Sequence, residues 1–163
     1  MRDKDGTTTE GERLFETAEQ HRSAYIATKG AVGHVVDYRY LGGYRFSTCL
    51  LIETIGRKSG KRRITPLIYG TTGGEVVLVS SHSGAEAHPA WHLNLKAMDQ
   101  VNIQIAGQAF RCTWRELAGE ERAATWHLMA GIYPTYRDYQ SRTAREIPIV
   151  CLAPGEEIDV LQA

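Results

Sequence analysis

Two runs with a strict period of two constrain this chain more than any other feature. Val101, Ile103 and Ile105 alternate with Asn102 and Gln104; beyond Gly107, Phe110, Cys112 and Trp114 alternate with Arg111, Thr113 and Arg115. Successive side chains of a strand point to opposite faces, so each run describes a strand with one buried face. The glycine between them makes the pair an antiparallel hairpin. Further strands follow. Thr48 to Ile55 is an apolar run expected to be buried on both faces, and Ile64 to Tyr69 is a strand that Pro66 confines to an edge or a bulge. Thr71-Thr72-Gly73-Gly74 reads as a turn that makes Glu75 to Ser81 a hairpin partner, and Ile147 to Leu152 is the last strand. About six strands joined mainly by hairpins predict a mainly β chain with flanking helices, an antiparallel barrel and not a doubly wound sheet.

Helices account for the rest. Thr9-x-x-Glu12 has capping-box spacing, Leu14, Ala18 and Tyr25 fall near one stripe, and Gly30 is a stop. Pro89 takes the first position of a short helix bearing Trp91 and Leu95, residues 119–131 form another helix, and 133–139 a tyrosine-rich turn. Residues 31–46 hold Tyr38, Tyr40, Tyr44 and Phe46 around Gly42-Gly43; core, lid and interface are all open for them. The expectation for the 163 residues is one domain, with 1–46 as an N-terminal helical extension. No run approaches the roughly 18 apolar residues of a membrane span, and the N-terminus has no signal-peptide core. Cys49, Cys112 and Cys151 lie apart in apolar stretches, which predicts buried thiols in a reducing cytoplasm.

Residues 56–63, Gly-Arg-Lys-Ser-Gly-Lys-Arg-Arg, carry the strongest chemistry. Lys and Arg number 19 and so do Asp and Glu, yet five of the cations lie between 57 and 63. The remainder is therefore net acidic, which argues against a nucleic-acid surface. Two glycines let the main chain present N–H groups to an anion, and arginine adds a fork for phosphate or carboxylate. A phosphorylated small ligand fits one compact cluster best; a solvated hairpin turn is the plain alternative. The spacing is not that of a Walker A loop, since Gly56 to Gly60 is one residue short and Arg62 stands where a Mg²⁺-binding hydroxyl belongs.

Other constellations are weaker. His88 and His92 are four apart, but Pro89 starts the helix between them and no third ligand has suitable spacing, so no metal is expected. Ser81-His82 lacks the elbow of a serine hydrolase. Tyr133, Tyr136 and Tyr139 suit either a packed corner or a pocket wall that binds a flat ring.

Four stretches, in this order, resemble the deazaflavin-dependent nitroreductases, also described as F-420-dependent quinone reductases, of the split β-barrel flavin-binding superfamily. They are Gly56-Arg57-Lys58-Ser59-Gly60-Lys61 with Thr65-Pro66-Leu67; Ser81-x-x-Gly84-Ala85-Glu86 with Pro89-x-Trp91-x-x-Asn94-Leu95; Tyr133-Pro134-x-Tyr136-x-x-Tyr139-Gln140; and Ile147-Pro148. The resemblance covers about residues 48–154 and implies an FMN-binding split-barrel-like fold. It implies hydride transfer from reduced coenzyme F-420 to a small electron-poor acceptor: a quinone, enone or nitroaromatic. Arg57, Lys58, Ser59, Gly60, Lys61 and Arg63 would hold the coenzyme's phosphate and polyglutamate tail. Thr65, Pro66, Val79, Ser80 and Ser81 would lie against its ring, with the backbone at Pro89, Ala90 and Trp91, and Asn94, closing the edge. Tyr133, Tyr136, Tyr139 and Ile68 would border the acceptor, with Tyr136 and then Ser81 as proton or hydrogen-bond donors. FMN, with a single phosphate, accounts less well for five cations. A carrier that binds F-420, a flavin or a lipid without turnover is the other reading on the same barrel. Such barrels often dimerise, so a homodimer is among the expected assemblies; no nucleic acid and no stable membrane anchor are.

Met98-Asp99 departs from the family pattern after the short helix, and Ile68 brings no hydroxyl to the expected pocket. Both bear on the acceptor more than on the coenzyme.

Overall fold

A computed structural model describes residues 13–163. In chain order the elements are α1 (Ala18–Thr28), β1 (Val35–Val36), β2 (Ser47–Ile55), β3 (Arg62–Ile68), β4 (Gly70–Thr72), β5 (Glu75–Val79), α2 (Ala90–Leu95), β6 (Gln100–Ile105), β7 (Gln108–Glu116), α3 (Gly119–Ile132), α4 (Thr135–Ser141) and β8 (Ile149–Ile158). All pairings are antiparallel, in the order β1-β2-β6-β7-β8-β5-β4, with β3 also on β2. The β3 and β4 strands lie at opposite ends of this path, yet only Tyr69 separates them in the chain. The sheet therefore curls until its ends meet. They do not pair along their length, and the result is a barrel split along one seam.

Pro66 explains one side of the seam. It sits opposite Leu51, has no N–H to offer outward, and β3 ladders only with β2. The expected hairpin between 64–69 and 75–81 is replaced by a three-residue one, β4 with β5, because the chain swings away at Tyr69-Gly70. Gly70 has no room for a side chain there: a Cβ would lie 2.5 Å from the Met129 sulfur.

Strand alternation sorts the core. On β5, Val76 and Leu78 face the barrel interior with Leu50, Ile52, Ile103 and Trp91, whereas Val77 and Val79 face α3 and α4 with Met129 and the three tyrosines. Tyr25 of α1 closes a third cluster with Leu51, Ile64 and Leu161. The 101–115 hairpin forms as expected, with Val101, Ile103 and Cys112 buried.

Several boundaries differ from expectation. The Thr9–Glu12 cap lies outside the described residues; the helix itself starts after Thr17, whose hydroxyl accepts the Gln20 N–H at 3.1 Å. The segment before residue 46 is not purely a helical extension, since β1 adds to the sheet. Residues 135–141 are helix and not turn. The last strand begins after Pro148 and runs to Ile158, taking Pro154 at the β7 irregularity between Phe110 and Cys112. The three cysteines are buried and free, and burial pushes the Cys49 and Cys112 thiols up to about 12.

Candidate active site

A cavity of about 190 Å³ opens on the seam. Pro66, Leu67 and Ile68 of β3 form one side, Val79 and Ser81 the other, and Tyr133, Tyr136 and Tyr139 the end wall, with Ser83 and Tyr38 at the rim. Tyr133 is the extended residue between α3 and α4, and Tyr136 and Tyr139, three apart, share a face of α4. Tyr133 and Tyr136 meet edge-on with centroids 4.9 Å apart, and the Tyr133 and Tyr139 hydroxyls bond at 3.3 Å. Tyr136 is only 4% exposed, and its hydroxyl has no hydrogen-bond partner among the described residues. Burial raises its pKa far above the ordinary phenol range, so it stays a donor. Tyr38, which sequence alone left undecided, packs edge-on against Tyr133 and points its hydroxyl at Cys49 Sγ, 3.6 Å away.

The basic loop joins β2 to β3 at the far end of the seam. Gly56 N–H to Lys61 O and Gly60 N–H to Gly56 O, both 2.8 Å, close it, and Gly60 takes the left-handed φ of 67° that such a turn needs. Asn94 anchors it to α2: its Oδ1 accepts the Arg57 main-chain N–H at 3.1 Å and Nη1 at 3.2 Å, and its Nδ2 donates to Thr54 Oγ1 at 3.4 Å. Arg62 is spent on Glu53 and on the Gln162 carbonyl. Arg57, Lys58, Lys61 and Arg63 are exposed and form no ion pair among the described residues. Arg63 and Thr65 lie on the same face of β3 as Leu67, across from Thr54 and Ile52.

Not every expected residue reaches this surface. Ser80 lies on the opposite face of its strand from Val79 and Ser81; it is fully buried, and its Oγ bonds His92 Nδ1 at 2.7 Å. Its main chain is engaged as well, with Pro148 and Arg145. Ser80 therefore supports the site from behind. The Trp91 ring belongs to the barrel core, which leaves its backbone as the part expected at the edge, and Pro89 caps α2 as the residue before its first turn. His92, fully buried, also bonds Glu116 Oε1 at 2.7 Å; a carboxylate only accepts, so Nε2 carries the proton and Nδ1 accepts from Ser80. Burial lowers the His92 pKa against the pull of Glu116. Among the described residues, no cluster of His, Cys, Asp or Glu could hold a metal ion, and no helix is long and apolar enough to cross a membrane.

The F-420H(2)-dependent quinone reductase family model matches residues 17–154, most of the chain. This protein belongs to that family. An F-420H(2)-dependent quinone reductase of Mycobacterium tuberculosis (strain H37Rv) is 33% identical over 135 residues, 81% of this chain and 86% of the relative. A putative F-420H(2)-dependent quinone reductase of Mycobacterium bovis matches to the same extent. Among solved structures, an F-420-H2-dependent reductase is 39% identical with a TM-score of 0.59, covering 64% of this chain and 92% of its own. A structure described as a domain-swapped dimer is 35% identical with a TM-score of 0.61, covering 82% and 94%. The heme storage protein of Vibrio cholerae, 12% identical with a TM-score of 0.51 over 68% and 84%, shares the split-barrel fold alone.

Membership of the quinone reductase family makes this chain an F-420-dependent reductase and sets the FMN reading aside. The seam fits that coenzyme. One end offers four unpaired cations, and the main-chain N–H groups of Lys58 and Ser59 have no partner among the described residues, a donor set for a string of anions. The other end offers a cavity for a ring, walled by apolar and aromatic side chains with Ser81 and Ser83 beside them.

Proposed function

We propose that the seam cavity takes a quinone, and by the same chemistry an activated enone or nitroaromatic, and that this chain reduces it at the expense of reduced F-420. Tyr136 carries the reading: a neutral phenol without a hydrogen-bond partner among the described residues, in a cavity walled mainly by apolar and aromatic groups, with Ser81 and Ser83 on one side. Bound F-420H(2) supplies a hydride, which brings two electrons to the acceptor, and one proton completes the hydroquinone.

The side chains of Arg57, Lys58, Lys61 and Arg63, with the main-chain N–H groups of Lys58 and Ser59, hold the anionic tail, and Gly60 gives the loop the turn that presents them. Thr65 and Pro66 on one lip, and Val79 and Ser81 on the other, border the ring; Pro89, Ala90 and Asn94 close its edge. Ile68 supplies an apolar wall. Tyr133 and Tyr139, joined by one hydrogen bond between their hydroxyls, shape the acceptor side. Tyr136, and secondly Ser81, donate to the acceptor oxygen as charge develops there, an interaction worth a few kcal/mol of barrier.

The experiment is an anaerobic assay with reduced F-420 and a benzoquinone, a naphthoquinone and a nitroaromatic, quantifying the reduced product. Hydroquinone formation with saturation in both substrates is expected. F-420 binding without hydroquinone above the protein-free background contradicts the proposal.

A further inference from the structure

Arg145, between α4 and β8, belongs to none of the motifs above, and its guanidinium is fully engaged. Nε donates to the Ala85 carbonyl at 2.8 Å, Nη1 to Ser80 O at 3.2 Å and to His88 Nδ1 at 3.0 Å, and Nη2 to Ser80 O at 3.1 Å and Ser81 O at 2.8 Å. It forms no ion pair among the described residues. A half-buried cation thus rests against the carbonyl side of the turn that follows β5.

The conformation of that turn is unusual. Ser81 is right-handed (φ −79°, ψ −38°), His82 has φ 46°, Ser83 has φ 53° and ψ 29°, and Gly84 has φ 79°. Left-handed non-glycine residues cost roughly 1–2 kcal/mol each, so their surroundings must hold them. Arg145 holds one side and α4 the other, where a Cβ on Gly84 would lie 2.7 Å from Tyr139 O. A right-handed residue followed by left-handed ones turns consecutive N–H groups toward one point and makes a concave anion site. The N–H groups of Gly84 and Ala85 are used by Ser81 O and His82 O, whereas those of Ser81, His82 and Ser83 have no partner among the described residues. Ser81 and Ser83 line the same cavity as Tyr136. Moreover, the Ser80 and Ser81 carbonyls that Arg145 holds belong to the very peptide groups that carry the Ser81 and His82 N–H. A charge-assisted bond to a carbonyl polarises its amide and strengthens the opposite donor.

We propose that the Ser81–Ser83 turn is an oxyanion site facing the acceptor, and that Arg145 is its positioning residue, setting the turn and passing positive charge to it through two peptide groups. This rests on the cavity being the acceptor site and names what, besides Tyr136, receives the negative charge that reduction places on the acceptor oxygen. The hydride's two electrons enter the acceptor, its oxygen becomes anionic against these N–H groups, and a proton then neutralises it.

4-Nitrophenol is the probe, because its anion carries the ring and the oxygen without needing coenzyme or turnover. It is titrated into the full chain, and its bound pKa is read from the phenolate absorbance, for wild type, Arg145→Lys and Arg145→Ala. The expected result is a lowered pKa on wild type, phenolate affinity at least fivefold weaker in Arg145→Ala, and an intermediate value in Arg145→Lys. With reduced F-420 and a benzoquinone, kcat should fall at least tenfold in Arg145→Ala while F-420 affinity and quinone KM change less than threefold. A bound pKa that is unchanged or raised on wild type, equal phenolate affinity in both variants, or a kcat loss that only follows weakened F-420 binding overturns the inference. Quinone turnover by wild type is the separate check on the acceptor reading: its absence alongside a lowered phenolate pKa would sink that reading and keep the oxyanion site.

Discussion

Replacing Arg57 and Lys58 together by alanine probes the coenzyme assignment at its most specific point. The main-chain N–H of Arg57 still reaches Asn94 Oδ1, so the loop keeps its anchor while losing two charges that no carboxylate neutralises among the described residues. Exposed ion pairs are worth about 0.2–1 kcal/mol each, and two against a polyanionic tail give about 1.4 kcal/mol. That is a tenfold weaker Kd for F-420. The structure also provides the control. Arg62 lies in the same run but is paired with Glu53 and bonded to the Gln162 carbonyl, so Arg62→Ala should leave Kd within about twofold. The assay is equilibrium titration at several salt concentrations. Screening shortens the reach of exposed charges to about 8 Å at physiological ionic strength, so wild-type affinity should fall with salt and the double variant's should fall less steeply. Unchanged affinity in the double variant, or an equal loss in Arg62→Ala, would refute the loop assignment.

Tyr136→Phe should lower kcat at least tenfold, about 1.4 kcal/mol of barrier, with F-420 affinity nearly intact; equal turnover removes Tyr136 as donor. Gly84→Ala should destabilise by roughly 1–3 kcal/mol in urea unfolding, from a left-handed φ and a Cβ pressed on the Tyr139 carbonyl, and wild-type stability would contradict that packing. His21, His34, His88 and His92 all have pKa values lowered by burial from 6.5. Their neutral forms are favoured in the folded state, so the unfolded chain takes up protons first. Their contribution is complete above pH 6.5 and is lost as pH falls through the folded-state values. The Tm should therefore decline on acidification below that point, and a Tm that rises there would contradict the burial of these rings.

The barrel was legible wherever one face of a strand was buried. Val101 to Trp114 could be placed from alternation alone, and Pro66 from its missing N–H. The seam was not, because it depends on where β3 parts from β5, and the turn at Thr71–Gly74 looks the same whether the hairpin has three residues or six. Ser80 was misplaced although its position was readable: Val79 and Ser81 share a face, and period two puts Ser80 on the other. The cation loop was evident as charge density, yet only the structure shows that Arg62 differs from its neighbours. Arg145 left no trace in the sequence, since all its partners but His88 Nδ1 are main-chain carbonyls some 60 residues away in the chain, and carbonyls have no residue type to recognise. Tyr38 stayed undecided because Tyr133, its partner, is farther still along the chain.

The most direct measurement is a titration of the purified chain with F-420, with FMN in parallel, read by tryptophan fluorescence. The reporter nearest the cavity is Trp126, whose ring centroid lies 6.4 Å from that of Tyr136; Trp91 reports from the barrel core beneath α2. Micromolar or tighter binding of F-420, with FMN at least tenfold weaker, is the predicted result. FMN binding as tightly as F-420, or no F-420 binding at all, would contradict the assignment to this coenzyme of the seam and of the four cations that form no ion pair among the described residues.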